Sequence, residues 1–217
     1  MLLADRILFI DAEAIVVDKP AGLPVEQPRD GTLSVESHLE SLRFGYARQP
    51  SIVHRLDRDT SGCLLLARGE RSHRRLQQSF EKGTVEKIYL AVLDGVLEGE
   101  EGVVELALAK VSSKTAGWRM IPARKGKPAT TMWTRLAKVD GQTLVRFAPR
   151  TGRTHQLRVH AASGLGLPIV GDPVYGRGGQ ALLLHAQALR VPRITKEAIV
   201  AEAPVPSHFP EWVREHV

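Results

Sequence analysis

Apolar residues run unbroken through Ala14-Ile15-Val16-Val17 and stop at Asp18-Lys19-Pro20-Ala21-Gly22, which predicts a short buried strand ending in a turn. After Asp30-Gly31, Val35, Leu39 and Leu42 recur at i, i+4 and i+7. Residues 33–43 are therefore expected to form an amphipathic helix, capped by Thr32 or Ser34 and ended by Gly45. Residues 63–67 (CLLLA) read as a buried strand, and 70–81 as a helix with Leu76 and Phe80 inward and Arg71, Arg74 and Arg75 outward, closed by Gly83. Further strands are expected at 87–93, 103–109, 130–137 and 143–148, with turns at Asp94-Gly95 and Asp140-Gly141. Residues 110–129 hold no steady period and read as a long basic loop. Thr154 is expected to cap a helix over 155–163 that ends at Gly164, followed by a strand within 181–191 and a terminal helix at 209–216. Strands outnumber helices and follow one another directly. The expected fold is a single α+β domain over 1–217, with a largely antiparallel mixed central sheet flanked by helices and basic loops.

Composition adds bounds. The 217 residues are 43% hydrophobic and 25% charged, an ordinary globular balance with enough chain for a real core. The longest apolar run is six residues, Ile88 to Leu93, against about 20 needed to cross a bilayer, so neither a membrane span nor a signal peptide is expected. The single cysteine, Cys63, excludes an intramolecular disulfide and every cysteine-based zinc pattern, and makes the cytoplasm the expected compartment.

Charge is unevenly spread along the chain. The chain carries a formal +6, but residues 106–171 alone carry twelve Lys or Arg (Lys114, Arg119 and Arg146 among them) and one acid, Asp140. Positive charge concentrated in one stretch points to a polyanionic partner.

Several chemistries lack their parts. There is no phosphate-binding Gly-x-x-x-x-Gly-Lys-Ser/Thr loop, no dinucleotide fingerprint and no Gly-x-Ser-x-Gly elbow. His155 and His160 lie five apart, not the i, i+4 of a zincin helix, and no metal site is expected.

Two segments remain dense in functional side chains. In His54-Arg55-Leu56-Asp57-Arg58-Asp59-Thr60-Ser61-Gly62, Asp57 stands between two cations, which favour an ionised carboxylate fit to be a nucleophile or an electrostatic anchor; a turn in which Asp57 or Asp59 bonds backbone amides is the ordinary reading of an Asp in a polar loop, and the density of functional side chains in nine residues favours the functional one. In Arg150-Thr151-Gly152-Arg153-Thr154-His155-Gln156-Leu157-Arg158-Val159-His160, cations crowd the start of a helix, where the dipole is already positive. Either an anion sits there, an RNA phosphate or a carboxylate such as Asp57, or the arginines are merely solvated. Tyr89 shares a strand face with Ala91 and Leu93, a core position or a functional one.

At these residues the sequence resembles the RluA family of RNA pseudouridine synthases. The family motif H-R-L-D-x-x-T-S-G is matched at every fixed position by residues 54–62. K-x-Y-x-A-x-V/L-x-G fits Lys87 to Gly95, and T-G-R-T/S-H-Q-L/I-R-x-H fits Thr151 to His160. Val17 to Leu23 (V-x-K-P-x-G-L), Gly126 to Thr131 (G-K-x-A-x-T), Gly171 to Gly176 (G-D-x-x-Y-G) and Leu182 to Ala186 (L-L-L-H-A) follow in the family's order, covering about residues 8–205. Trp133 departs mildly, where many members carry tyrosine, and is expected to serve packing only.

The resemblance implies a pseudouridine-synthase-type catalytic domain in the compact form without an N-terminal S4 module. It implies Asp57 as the catalytic aspartate, Tyr89 as the active-site tyrosine and Arg158 as the basic partner of that aspartate. Arg55 matches the residue that fills the space left by the flipped nucleotide, and Arg58, Thr60, Lys87, Arg153 and His155 are assigned with it to RNA contact. The implied reaction isomerises uridine in stem-loops of ribosomal RNA, transfer RNA or both. It needs no cofactor and no obligate protein partner, and a monomer is expected. Two other readings compete: a non-catalytic RNA-binding assembly factor, and a glycoside or nucleoside hydrolase using Asp57 and Asp59. Carboxyls at i and i+2 of a turn rarely span the roughly 5–9 Å that a sugar requires.

Overall fold

A computed structural model of the chain describes residues 3–113 and 117–217; Lys114 of the basic stretch lies outside the described residues. In chain order the strands are β1 (Ile7–Ile10), β2 (Ala14–Lys19), β3 (Ser51–Ile52), β4 (Ser61–Ala67), β5 (Glu86–Leu93), β6 (Glu101–Glu105), β7 (Leu108–Ser113), β8 (Gly117–Pro122), β9 (Thr130–Val139), β10 (Gln142–Pro149), β11 (Leu184–Val191) and β12 (Ile199–Glu202). The α-helical segments are α1 (Glu70–Glu81), α2 (Gln156–Val159) and α3 (Glu211–Arg214). The fold is α+β with a mostly antiparallel sheet, as the pattern of short strands predicts. Among the described residues no helix is long and apolar enough to cross a membrane.

The chain divides into two compact units, one running to Lys87 and resuming over His185–Pro204, the other comprising Ile88–Leu184 and Val205–Val217. In the first, β2 lies antiparallel between β1 and β4, and β12 lies antiparallel to β11. The start of β4 pairs in parallel with β11 (His185↔Ser61, Ala186↔Gly62), while its end pairs with β3. Every residue of β2 and β4 is buried, which is why both read as continuous apolar runs rather than alternating ones. Val16, Leu65, Leu76, Val191 and Ala201 meet in one core, with Phe80 packed against it. Helix α1 has the bounds the periodicity predicts, and Gly83 (φ 69°) ends it in the left-handed conformation.

In the second unit β5, β10, β9 and β6 form an antiparallel array in that order. Ala91, Leu93, Val145, Phe147 and Leu157 fill its core together with Trp133, whose packing role is as expected: an added Cβ at Gly102 would come within 2.9 Å of its indole.

Four local expectations are corrected. The apolar face Val35, Leu39 and Leu42 is buried as predicted, and Ser34 does cap, its Oγ accepting the Ser37 amide (3.2 Å), but the segment Glu36–Leu42 is a 3₁₀ helix. Its carbonyls are taken by side chains instead, His38 Nδ1 donating to Ser34 O (2.7 Å) and Ser41 Oγ to His38 O (2.7 Å), and the backbone tightens to i→i+3 bonds. Strand 103–109 breaks at 106–107 into β6 and β7. Within the supposed loop over 110–129, residues 110–113 and 117–122 belong to an antiparallel ribbon of β7 and β8, whose alternation gave no signal because only Leu108 and Met120 of its residues are buried. Finally, Thr154 caps nothing: α2 starts after His155 in a left-handed conformation (φ 52°) and widens into a π turn over His160–Gly164, with Leu165 N donating to His160 O (3.0 Å).

Gly62 shows what one motif position is for. It sits at φ 106°, and a Cβ there would lie 2.2 Å from Ala186 O, inside the parallel β4/β11 pairing. Gly62→Ala is expected to cost about 3 kcal/mol or more, read as a lowered urea midpoint at unchanged slope.

Candidate active site

The first unit holds the loop 53–60 that leads into β4. Leu56 is buried and anchors it, while Asp57 is half-buried and the flanking Arg55 and Arg58 are exposed. The Thr60 amide donates to Asp57 O (3.1 Å), closing a tight turn, and Thr60 itself is buried. Ser61 Oγ donates to His185 Nδ1 (2.9 Å), and His185 Nε2 donates to Ala203 O (3.3 Å), which fixes the tautomer of this buried imidazole. The start of β4 is thus tied to β11 through a side chain as well as through the backbone.

His54, at the head of the motif, is not poised for acid–base work. Its Nε2 accepts the Leu65 amide (3.0 Å), its ring stacks on Phe80 (4.6 Å between centroids), and burial, with the Lys87 charge nearby, pushes its pKa down to about 3. It is a neutral acceptor that holds the loop onto β4. Arg55 reaches Glu26 (3.2 Å) across an exposed surface, and Arg58 Nε donates to Gly22 O (3.2 Å).

The strongest hold on the loop is a residue to which the sequence reading gave no role. Lys19, at the end of β2, is fully buried, and its ammonium donates to Pro20 O (2.9 Å), Leu23 O (2.8 Å) and Arg58 O (2.9 Å). One cation therefore clasps two loops, 20–23 and 57–60. Burial pulls its pKa down to about 7, opposed by the nearby carboxylates of Asp59, Asp57 and Asp18. The signal was present in Val17 to Leu23: a lysine closing an otherwise apolar strand, directly before Pro, has its backbone course fixed and its charge needing partners. Lys19→Met leaves the Pro20, Leu23 and Arg58 carbonyls without this donor. The expected loss is about 3 kcal/mol, with protease sensitivity rising at 57–60 before the global transition, measured by urea titration and limited proteolysis.

Lys87, at the start of β5, is half-buried, and burial lowers its pKa to about 8.

The second unit carries the other candidates. Tyr89 pairs across β5 and β10 with Phe147 and packs, partly buried, against the core that holds Ala91 and Leu93, on the face the alternation predicts. Arg158, in α2, is buried, which removes the solvated-arginine reading for this residue. Its Nε and Nη2 grip both carboxylate oxygens of the buried Asp172 (2.7 and 2.8 Å). Burial alone would raise the Asp172 pKa, but Arg158 and the Val174 and Tyr175 amides on Oδ1 outweigh it and hold the group ionised. Asp172 is a carboxylate partner of Arg158 that the residues near it in sequence do not reveal, although it stands inside the Gly171 to Gly176 motif.

The same turn orders the helix start. Tyr175 Oη accepts the Met120 amide (2.9 Å) and donates to His155 Nδ1 (3.0 Å). Gln156, buried, accepts from Thr151 Oγ1 (2.8 Å) and the Arg153 amide (3.0 Å), and donates to Thr130 O (3.1 Å) and Thr131 Oγ1 (2.9 Å). Half of the Thr151 to His160 motif is therefore scaffold. Arg153 is exposed, its Nε resting on Pro128 O (3.1 Å), near Arg124, Lys125 and Lys127 in sequence, all exposed. Such a surface suits phosphate. Among the described residues no group of three or more His, Cys, Asp or Glu side chains gathers as a metal would need.

Comparison with known proteins bears on these positions. A family profile described as RNA pseudouridylate synthase matches residues 13–163, a span that contains Asp57, Tyr89 and Arg158. The chain is 58% identical to an uncharacterized RNA pseudouridine synthase of Zymomonas mobilis, over 96% of this chain and 97% of that one. It is 35% identical to the ribosomal large subunit pseudouridine synthase C of Rickettsia felis, over 94% of this chain and 69% of that one. Among solved structures it is similar to human RNA pseudouridylate synthase domain containing 4, with TM-score 0.80 and 26% identity, over 99% of this chain and 92% of that one.

Proposed function

Given that this chain belongs to the family of RNA pseudouridine synthases, isomerases that convert uridine to pseudouridine in RNA, we propose that its targets are uridines in stem-loops of ribosomal RNA, transfer RNA or both, and that Asp57 is its catalytic aspartate. The observation that carries this reading is the family profile running through Asp57, at a turn that the buried Lys19 clasps from below. Relatives whose names specify a target are named for the large ribosomal subunit, which makes ribosomal RNA the first substrate to test.

In the proposed reaction the target uridine leaves its stack at a cost of about a few kcal/mol, and cationic side chains, Arg55 foremost, fill the gap. Asp57 acts on the extruded nucleoside through its carboxyl group. The C1′–N1 bond breaks, the uracil rotates, a C1′–C5 bond forms, the C5 proton leaves and N1 takes one up, so nothing is oxidised or hydrolysed. Tyr89 stacks on the uracil and assists loss of the C5 proton. Arg158 keeps negative charge favourable at the reacting centre, and Asp172 holds its plane. Arg58, Lys87, Arg153 and His155 contact the RNA backbone, and Thr60 shapes the turn that carries Asp57. Because the profile match runs through both compact units, residues 1–217 are read as one catalytic domain. A monomer in the cytoplasm is the simplest state; the buried Cys63 thiol, pushed up to about 12 chiefly by burial, is inert and fits a reducing compartment.

The test is to incubate the protein with total RNA from a strain lacking its gene and map new pseudouridines by a chemical-adduct stop assay, with Asp57→Asn as control. New sites in one sequence context, absent with the variant, support the reading. Tight, salt-sensitive binding without new sites favours the assembly-factor reading instead.

A further inference from the structure

The ribbon of β7 and β8 presents a side chain that nothing in the mechanism uses. Trp118 lies on the same ribbon face as Leu108 and Met120, which are buried at its base, but beyond the end of the core, and 45% of it is exposed. Nearly half of this indole is left open on a polar ribbon. Lys110, on the same ribbon face, places its ammonium over the Trp118 ring (4.8 Å) and is itself exposed.

The ring is not isolated. Trp118 tilts against His155 (4.9 Å), His155 meets Tyr175 edge-on (5.6 Å), and Tyr175 lies under the Arg158 guanidinium (5.3 Å). A row of π faces and cations thus runs within this unit from the proposed catalytic arginine to an open indole. His155 is held in it by its left-handed backbone and by the Tyr175 hydroxyl. Alternating aromatic faces and cations are what an unpaired nucleotide needs: a π surface for the base and positive charge for the phosphate.

We propose that Trp118 is a stacking platform for an unpaired base of the substrate RNA, with Lys110 on the adjoining phosphate. The ribbon then selects among RNA loops by which unpaired base reaches it. This rests on the RNA pseudouridine synthase reading and adds to it a residue that sets substrate choice rather than chemistry.

The experiment uses the full chain and a small hairpin RNA with a uridine-containing loop, together with the same hairpin carrying an abasic sugar at each loop position in turn. Tryptophan emission and steady-state turnover are both read. Trp118→Ala is expected to abolish most of the emission quench on RNA addition and to raise KM about ten- to a hundredfold at nearly unchanged kcat. Trp118→Phe restores most of the affinity. An abasic sugar at one loop position raises KM for the wild type to a similar degree and adds little for Trp118→Ala, the signature of a shared contact. Because the ring is exposed, the thermal midpoint of Trp118→Ala stays near wild type. A Trp118→Ala protein that modifies RNA with wild-type KM and quench overturns the platform and leaves the enzymatic reading standing. A KM increase to which every abasic position adds in full also overturns it. If no RNA is modified by the wild type while the Trp118-dependent quench persists, the enzymatic reading fails and the platform survives.

Discussion

Asp57→Asn is expected to retain RNA affinity within a few-fold and to lose turnover by about ten-thousand-fold or more, the scale at which removal of a covalent or anchoring carboxylate is felt. Affinity survives because the loop is not built on that carboxylate alone. The turn closes through the Asp57 carbonyl and the Thr60 amide, Lys19 holds the Arg58 carbonyl, and buried Leu56 pins the loop below, all untouched by an isosteric change. The substitution also removes one of the carboxylates that oppose the lowered pKa of Lys19, so the clasp loses its proton at a lower pH than in the wild type. Comparing the two proteins at pH 6 as well as at pH 8 therefore keeps a loosened loop from being mistaken for lost chemistry. The measurement is release of tritium from RNA labelled at uridine C5, since the new carbon–carbon bond must displace that hydrogen. Release near the wild-type rate would remove Asp57 from the mechanism.

Arg158→Met should damage both activity and stability, and the two losses can be separated. Removing the guanidinium strands the Asp172 carboxylate at a fully buried position with only two amide donors, a change expected to cost about 3–5 kcal/mol. Turnover is expected to fall about a hundred- to a thousandfold with little change in affinity. Adding Asp172→Asn neutralises the stranded charge while its side-chain oxygen still accepts the Val174 and Tyr175 amides. The double variant is expected to regain most of the urea midpoint and none of the turnover. Recovery of turnover along with stability would show that Arg158 is scaffold, and an affinity loss alone would make it a phosphate contact.

Much of this was legible in the chain. The bounds of α1 came directly from Leu76, Phe80 and Gly83, because an amphipathic stripe and a helix-ending glycine are local facts. Asp57, Tyr89 and Arg158 stood out as motif positions. Less legible was the ribbon of β7 and β8: most of its side chains are exposed, so no burial imposed a period, and Trp118 gave no signal. The corrected start of α2 has a similar cause, since Gln156 does by side-chain bonds to Thr151 and the Arg153 amide what Thr154 was expected to do as a cap.

The family and the α+β class were legible in the chain alone, and so were the candidate site residues Asp57, Tyr89 and Arg158, because a dense motif and local periodicity are properties of neighbours in the chain. The folded structure was needed to show which motif residues hold others in place. Gly62 is required by the approach of Ala186, Ser61 by His185, Lys19 by the Arg58 carbonyl and Asp172 by Arg158, each partner lying between 14 and 124 residues away in sequence. Spacing along a chain says nothing about pairs that meet only when burial strips water from a charge or a backbone and leaves it one partner to find.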